Sequence, residues 1–139
     1  MERAFFMEIL YEDNHIIIVN KQAGEIIQGD KTGDKTVADE IKAYLKEKYN
    51  KPGAVFLGIP HRLDRPVSGV SIFARTSKAL ARLNEMFRKG EIEKTYQAIV
   101  IHEPQIEYGT LEHWLTRNEK QNKAYAAGSL LLLSVDFSL

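Results

Sequence analysis

The chain contains no cysteine, a single tryptophan and only four prolines, and its nineteen basic and nineteen acidic residues cancel. Without cysteine there can be no disulfide and no thiolate metal site, a composition that suits a reducing compartment. No apolar run approaches the roughly eighteen residues that a membrane span needs. The opening Met-Glu-Arg-Ala-Phe-Phe-Met-Glu lacks the basic, apolar and small-residue order of a secretory signal. A cytoplasmic chain with no membrane partner is therefore expected. Zero net charge selects neither for nor against a polyanionic partner.

What is present fits one globular domain: 139 residues, 44% hydrophobic and 27% charged, with no internal repeat and no low-complexity linker. The β-branched run His15 to Val19 predicts a buried strand ending at Asn20, and Gly24, Gly29 and Gly33 with Asp30 and Asp34 predict a loop. Val37, Ile41, Tyr44 and Leu45 fall on one helical face, so a helix is predicted from Thr36 to about Asn50, with Asp39 as a first-turn acid. Residues 54–59 and 70–74 read as strands. A second helix is expected with Ser77 as its cap, Leu80, Leu83 and Phe87 inward and Gly90 as its stop. Alternation predicts a strand over Ile92 to Ile101, with Lys94 and Tyr96 on one face, and further strands near 108–115 and 129–137. The predicted class is α+β: a largely antiparallel, mixed sheet with two flanking helices. A monomer is expected, although the leucine-rich tail from Gly128 to Leu139 would invite pairing with another chain if it formed an exposed edge.

Charge is unevenly distributed. Residues 1–50 carry 7 basic and 10 acidic side chains, whereas residues 61–100 carry 8 and 4. Within the basic stretch lies Pro60-His61-Arg62-Leu63-Asp64-Arg65-Pro66-Val67-Ser68-Gly69, a dense connection between two predicted strands. Loops held by strands are where reactive side chains are displayed. Asp64, flanked by Arg62 and Arg65, is expected to stay ionised and to serve as a nucleophile or electrostatic stabiliser; a loop salt bridge or Asx turn is the structural alternative. Arg62 can meet a phosphate, stack on a base or pair with Asp64. His61 can orient the loop. Tyr96 is either a core ring or a cleft-lining ring with a hydroxyl for proton transfer. No histidine or acid stands at metal-ligand spacing near His61, so no metal is expected. Phosphate-loop, nucleophile-elbow and metalloprotease patterns are absent.

The loop His61-Arg62-Leu63-Asp64 with Ser68-Gly69-Val70 resembles the central motif of the RluA-type RNA pseudouridine synthases. Ile9 to Asp13 and Ile16 to Lys21 with Gly24 resemble that family's opening strands; Ala74 to Leu80 and Lys94 to Val100 resemble its next helix start and strand. The resemblance implies isomerisation of uridine to pseudouridine within ribosomal or transfer RNA: the bond from ring nitrogen to sugar breaks, the base rotates, and a ring carbon attaches instead. It implies no metal or organic cofactor. Asp64 would be the catalytic aspartate, Tyr96 would contact the base and help remove the proton from the new attachment carbon, and Arg62 would fill the space left by the extruded nucleotide. His61, Arg65 and Lys94 would meet substrate or RNA. Extruding a stacked base costs a few kcal/mol, which a stacking guanidinium offsets in part.

The sequence also departs from the family pattern. Gln22 stands where proline usually follows the lysine, and Val67 where threonine commonly precedes Ser-Gly. The family's later Thr-Gly-Arg-x-His-Gln-Ile-Arg block is absent: no histidine follows His113 and no basic residue follows Lys123. Residues 1–139 are thus expected to form a single, partial catalytic domain, without a small RNA-binding domain in front and with weak or no turnover. A non-catalytic RNA-binding remnant is the alternative, and a poorly folded fragment associating through its tail is a third.

Overall fold

A computed structural model describes residues 7–29, 33–102, 105–121, 123–126 and 131–138, the last segment by its backbone alone. Two compact units divide the chain, Met1–Lys94 and Thr95–Leu139.

The first unit contains β1 (Glu8–Glu12), β2 (Ile16–Lys21), α1 (Val37–Lys48), β3 (Gly69–Ala74) and α2 (Ser77–Lys89). Its strands form an antiparallel sheet in the order β1-β2-β3. Alternation along β2 sends Ile17, Val19 and Lys21 to one face, opposite Phe73, Ser71 and Gly69 of β3. On that face Ile17, Val19 and Phe73 pack with Val37, Ala38, Ile41 and Leu45 of α1. Ile17, Ile41, Leu45 and Phe73 are fully buried, each contributing about 2 kcal/mol through apolar area removed from water. Ile16 and Ile72, on the opposite face, pack with Ala74 and with Ala79, Leu80 and Leu83 of α2. The sheet therefore lies between the two helices.

Both helix starts are set by threonine. Thr36 caps α1 in a reciprocal box with Asp39, whose backbone N–H it accepts at 3.0 Å and whose carboxylate accepts the Thr36 N–H at 3.2 Å. For α2 the cap is Thr76, which accepts the Ala79 N–H at 3.1 Å; Ser77, predicted as the cap, is the first helical residue. Gly90 ends α2 as predicted. Glu12 ties β1 to the helix ends by accepting from the Tyr44 hydroxyl (2.8 Å), the Tyr49 hydroxyl (2.6 Å), Lys48 (2.8 Å) and Arg75 (3.0 Å).

The second unit contains β4 (Tyr108–Asn118), β5 (Lys123–Ala126) and β6 (Leu131–Ser138), antiparallel in the order β5-β4-β6. The strands expected near 108–115 and 129–137 are thus present. The α+β class holds, but two three-stranded sheets replace the single mixed sheet, and among the described residues every strand pair is antiparallel.

Two predicted strands do not form. Residues 54–59 make only one bridge, between Gly58 and Ala74, with reciprocal backbone hydrogen bonds of 2.8 and 2.9 Å. The approach is close enough that a Cβ at Gly58 would lie 2.8 to 3.0 Å from three atoms of Leu80, so the backbone passes over α2 rather than extending the sheet. Residues 92–101 have strand-like alternation but pair with no strand among the described residues, and residues 93–100 are exposed. Alternation gives a strand only where a neighbouring edge takes its hydrogen bonds. Asp30, one of the predicted loop residues, lies outside the described residues, as do the side chains of the leucine-rich tail.

Candidate active site

The connection from Gly58 to β3 is fastened at both ends. Ile59 and Leu63 pack against the core. His61 stacks on Phe87 of α2, with ring centroids 5.0 Å apart and planes inclined by 26°, and its Nε2 accepts the Ile72 N–H at 3.0 Å. Burial pushes the His61 pKa below its ordinary value, and the charge of Lys94 pushes it the same way. A neutral ring with its proton on Nδ1 fits this arrangement. His61 therefore orients the loop, and the structure brings Lys94 into its electrostatic environment. At the far end Gly69 has φ of 140°, a conformation open to glycine and unfavourable for other residues, which turns the chain into β3.

Between these ends, Asp64 to Val67 form a tight turn in which the Val67 N–H donates to the Asp64 carbonyl at 3.0 Å. Beneath the turn is the fully buried Lys21 at the end of β2. Its ammonium donates to the carbonyls of Val67 (2.5 Å), Gln22 (3.1 Å), Asp64 (3.1 Å) and Arg65 (3.3 Å). Burial lowers the Lys21 pKa, while the charges of Glu25 and Asp64 oppose that shift. A second tie joins the same segments: Gly24 N–H donates to the Arg65 carbonyl at 2.8 Å, and Arg65 Nε donates to the Gly24 carbonyl at 3.1 Å.

The result displays Asp64 on a braced turn. Its side chain is exposed, and among the described residues its carboxylate forms no ion pair. That disposes of the loop salt bridge as its reason for being there. Arg65 forms its ion pair with Asp34 and donates to the Gly24 carbonyl rather than pairing with Asp64. Arg62 is exposed and forms no ion pair with Asp64. The nearby cation beneath the turn is Lys21, which donates to the Asp64 carbonyl and whose pKa the Asp64 charge raises. A carboxylate held this way can act as a nucleophile or stabilise a developing positive charge.

Tyr96 belongs to the second unit and is 64% exposed, so it is not a core ring. Lys94 is exposed at the end of the first unit. Lys21 is the residue that sequence reasoning missed: a lysine at an inward strand position, in step with Ile17 and Val19, was the available signal. Arg65, Gly24, Asp34 and the start of α1 also border a cleft of about 240 Å³. No group of three or more histidine, aspartate or glutamate side chains suited to a metal occurs among the described residues.

Comparison with known proteins is consistent with this geometry. The chain is 35% identical over 114 residues to ribosomal large subunit pseudouridine synthase C of Salmonella typhi, covering 82% of this chain and 34% of that protein. The corresponding Escherichia coli K12 protein is 38% identical over 92 residues, covering 66% and 27%. Ribosomal large subunit pseudouridine synthase D of Yersinia pestis is 36% identical over 96 residues, covering 68% and 29%. The chain thus spans about a third of the length of the curated relatives it matches. Among solved structures, human RNA pseudouridylate synthase domain containing 4 superposes with a TM-score of 0.72 at 21% identity, covering 93% of this chain and 51% of that one, which establishes likeness of fold. The sequence profile described as RNA pseudouridylate synthase matches residues 15–130, so the braced aspartate turn lies within the matched region and the chain belongs to the RNA pseudouridylate synthase family.

Proposed function

We propose that this chain carries the aspartate-bearing part of an enzyme that isomerises uridine to pseudouridine in RNA, with large-subunit ribosomal RNA as the favoured substrate. The observation that carries this reading is the Asp64 carboxylate, unpaired among the described residues, on a turn held by buried Lys21. Asp64 acts at the sugar or the ring while the bond from ring nitrogen to sugar breaks. The base then rotates and a ring carbon bonds to the same sugar carbon; the proton lost from that ring carbon is balanced by one gained at the freed nitrogen. Tyr96, an exposed ring with a hydroxyl, contacts the base and assists that proton's removal. Arg62, exposed beside Asp64, fills the space of the extruded nucleotide. Arg65, Lys94 and His61 border the RNA path, Arg65 and His61 chiefly by shaping the loop.

The substrate preference follows from the relatives named for the ribosomal large subunit, and such a substrate fits a cytoplasmic enzyme. No helix among the described residues is long and apolar enough to cross a membrane. Residues 1–139 act as one partial catalytic domain, monomeric and without cofactor.

Tritium release from RNA labelled at the uridine attachment carbon tests the proposal. Release from large-subunit ribosomal RNA, weaker from transfer RNA and lost in Asp64→Ala, is expected. Release indifferent to Asp64→Ala overturns the catalytic assignment.

A further inference from the structure

One cavity of the first unit has no part in the reaction described so far. The cleft of about 240 Å³ runs beside Arg65, the residue after Asp64, and reaches the first turn of α1. Pockets for drug-sized ligands measure about 300 to 1,000 Å³, so this one suits a single ring system. Ile26 and Val37, both buried, supply apolar wall, and Glu40 lines the same cleft with its side chain only 13% exposed. A carboxylate so nearly enclosed favours donors on both of its oxygens. Among the described residues, Oε1 of Glu40 has the ammonium of Lys35 at 3.4 Å, and Oε2 has no partner.

Charge decides which part of a ligand enters. Glu25, Asp34 and Glu40 bring three carboxylates to the lining against the two cations Lys35 and Arg65, so a phosphate is disfavoured inside. Arg65 has already committed Nε to the Gly24 carbonyl and Nη2 to Asp34. What remains to it is chiefly the flat face of the guanidinium, which stacks on planar rings. The complementary ligand is therefore an uncharged planar ring that carries hydrogen-bond donors. Of the four RNA bases only guanine has two adjacent N–H donors on its pairing edge, at N1 and the 2-amino group, a fork that matches the two oxygens of one carboxylate. Adenine and cytosine place an acceptor beside their donor, and uracil flanks its single donor with two carbonyls. Each of these would set a lone pair against Glu40.

We propose that this cleft takes a guanine of the substrate RNA, with Glu40 as the residue that selects it. The proposal rests on the reading of Asp64 as acting on an RNA uridine. Arg65 joins the two places, its backbone in the aspartate turn and its side chain on the cleft. Sugar and phosphate stay outside, where Lys35 is 67% exposed.

Guanosine and inosine monophosphates, which differ by the 2-amino group alone, test the proposal. Titrated into the full chain and followed by NMR at the amides of Gly24, Ile26 and Val37, the guanine nucleotide should bind about tenfold more tightly, the worth of one charge-assisted hydrogen bond. Equal affinity for the inosine or the adenosine nucleotide overturns the proposal, and this comparison needs no variant. Glu40→Gln, which turns an amide N–H against one of the guanine donors, should bring the guanine and inosine nucleotides to the same affinity. A preference that survives the change overturns Glu40 as the selecting residue.

The guanine nucleotide should also compete with a large-subunit ribosomal RNA transcript for the chain, at lower concentration than the inosine nucleotide. Guanine binding that leaves the RNA in place identifies a site for a free nucleotide and overturns the assignment to RNA. None of these readouts uses turnover. A retained guanine preference with tritium release indifferent to Asp64→Ala refutes the catalytic reading alone, whereas a lost preference with Asp64-dependent release refutes the guanine site alone.

Discussion

Nε2 of His61 accepts the backbone N–H of Ile72 at 3.0 Å while the ring lies against Phe87, so one imidazole joins the aspartate loop to both β3 and α2. The bond exists only while Nε2 carries no proton.

That requirement gives a pH signature. The folded-state pKa of His61 lies below the ordinary 6.5, first through burial and then through Lys94. A depressed histidine pKa means that the unfolded chain takes up the proton more readily, so this contribution is full above the ordinary value and is lost as pH falls through the folded one. Lys94→Ala should move the imidazole midpoint upward, part of the way to the ordinary value, as followed by proton NMR of the ring. A midpoint that stays in place would show that Lys94 exerts no field on His61.

Glu12 makes a larger acid-side contribution. Burial pushes its carboxyl up, but hydrogen bonds from Lys48, Tyr49 and Tyr44 outweigh it and hold the pKa at about 2 against an ordinary 4.5. A lowered carboxylate pKa stabilises the fold above the ordinary value, and the contribution disappears as pH falls towards about 2. Glu12→Gln should therefore cost about 2 kcal/mol at neutral pH and leave stability flatter over that acid range, measured by urea denaturation at several pH values. An unchanged acid limb in the variant would refute the assignment.

Gly58→Ala should destabilise the first unit by about 1 to 2 kcal/mol, because the new methyl meets Leu80 at its Cβ as well as its two Cδ atoms and no rotamer relieves all three contacts. Thermal denaturation of the single variant and of Gly58→Ala with Leu80→Ala provides the check. The pair should show a favourable coupling, since truncating Leu80 opens the space that the methyl needs.

Thr36→Ala removes one half of the reciprocal cap of α1. The expected loss is about 1 kcal/mol, with faster amide exchange at Asp39, whose N–H loses its acceptor. Thr36→Ser keeps the acceptor and should retain most of the stability.

Much of the first unit was legible because its signals are local. The spacing of Val37, Ile41 and Leu45, the cap at Thr36 and the stop at Gly90 each act within a few residues. The cap of α2 was misplaced by one residue because Thr76 and Ser77 are adjacent and both able to cap; only backbone geometry chooses between them. Strand signals failed where pairing is decided by distant partners: residues 54–59 meet the sheet only at Gly58, and residues 92–101 not at all among the described residues. For the site, Asp64 stood out by its neighbours in sequence, but those neighbours do not pair with it. Arg65 turns to Asp34, and the charge beneath the turn comes from Lys21, 43 residues earlier.

That separation also bears on how the chain acquires the site. Asp64 to Val67 can close over the ammonium only after β2 and β3 have aligned, and bringing such distant segments together carries an entropic cost that local turns avoid. The brace on the aspartate turn therefore belongs to the folded unit and not to the local sequence. A nascent chain that has emerged only as far as the motif would already carry Asp64, yet hold it no more firmly than an unfolded peptide does.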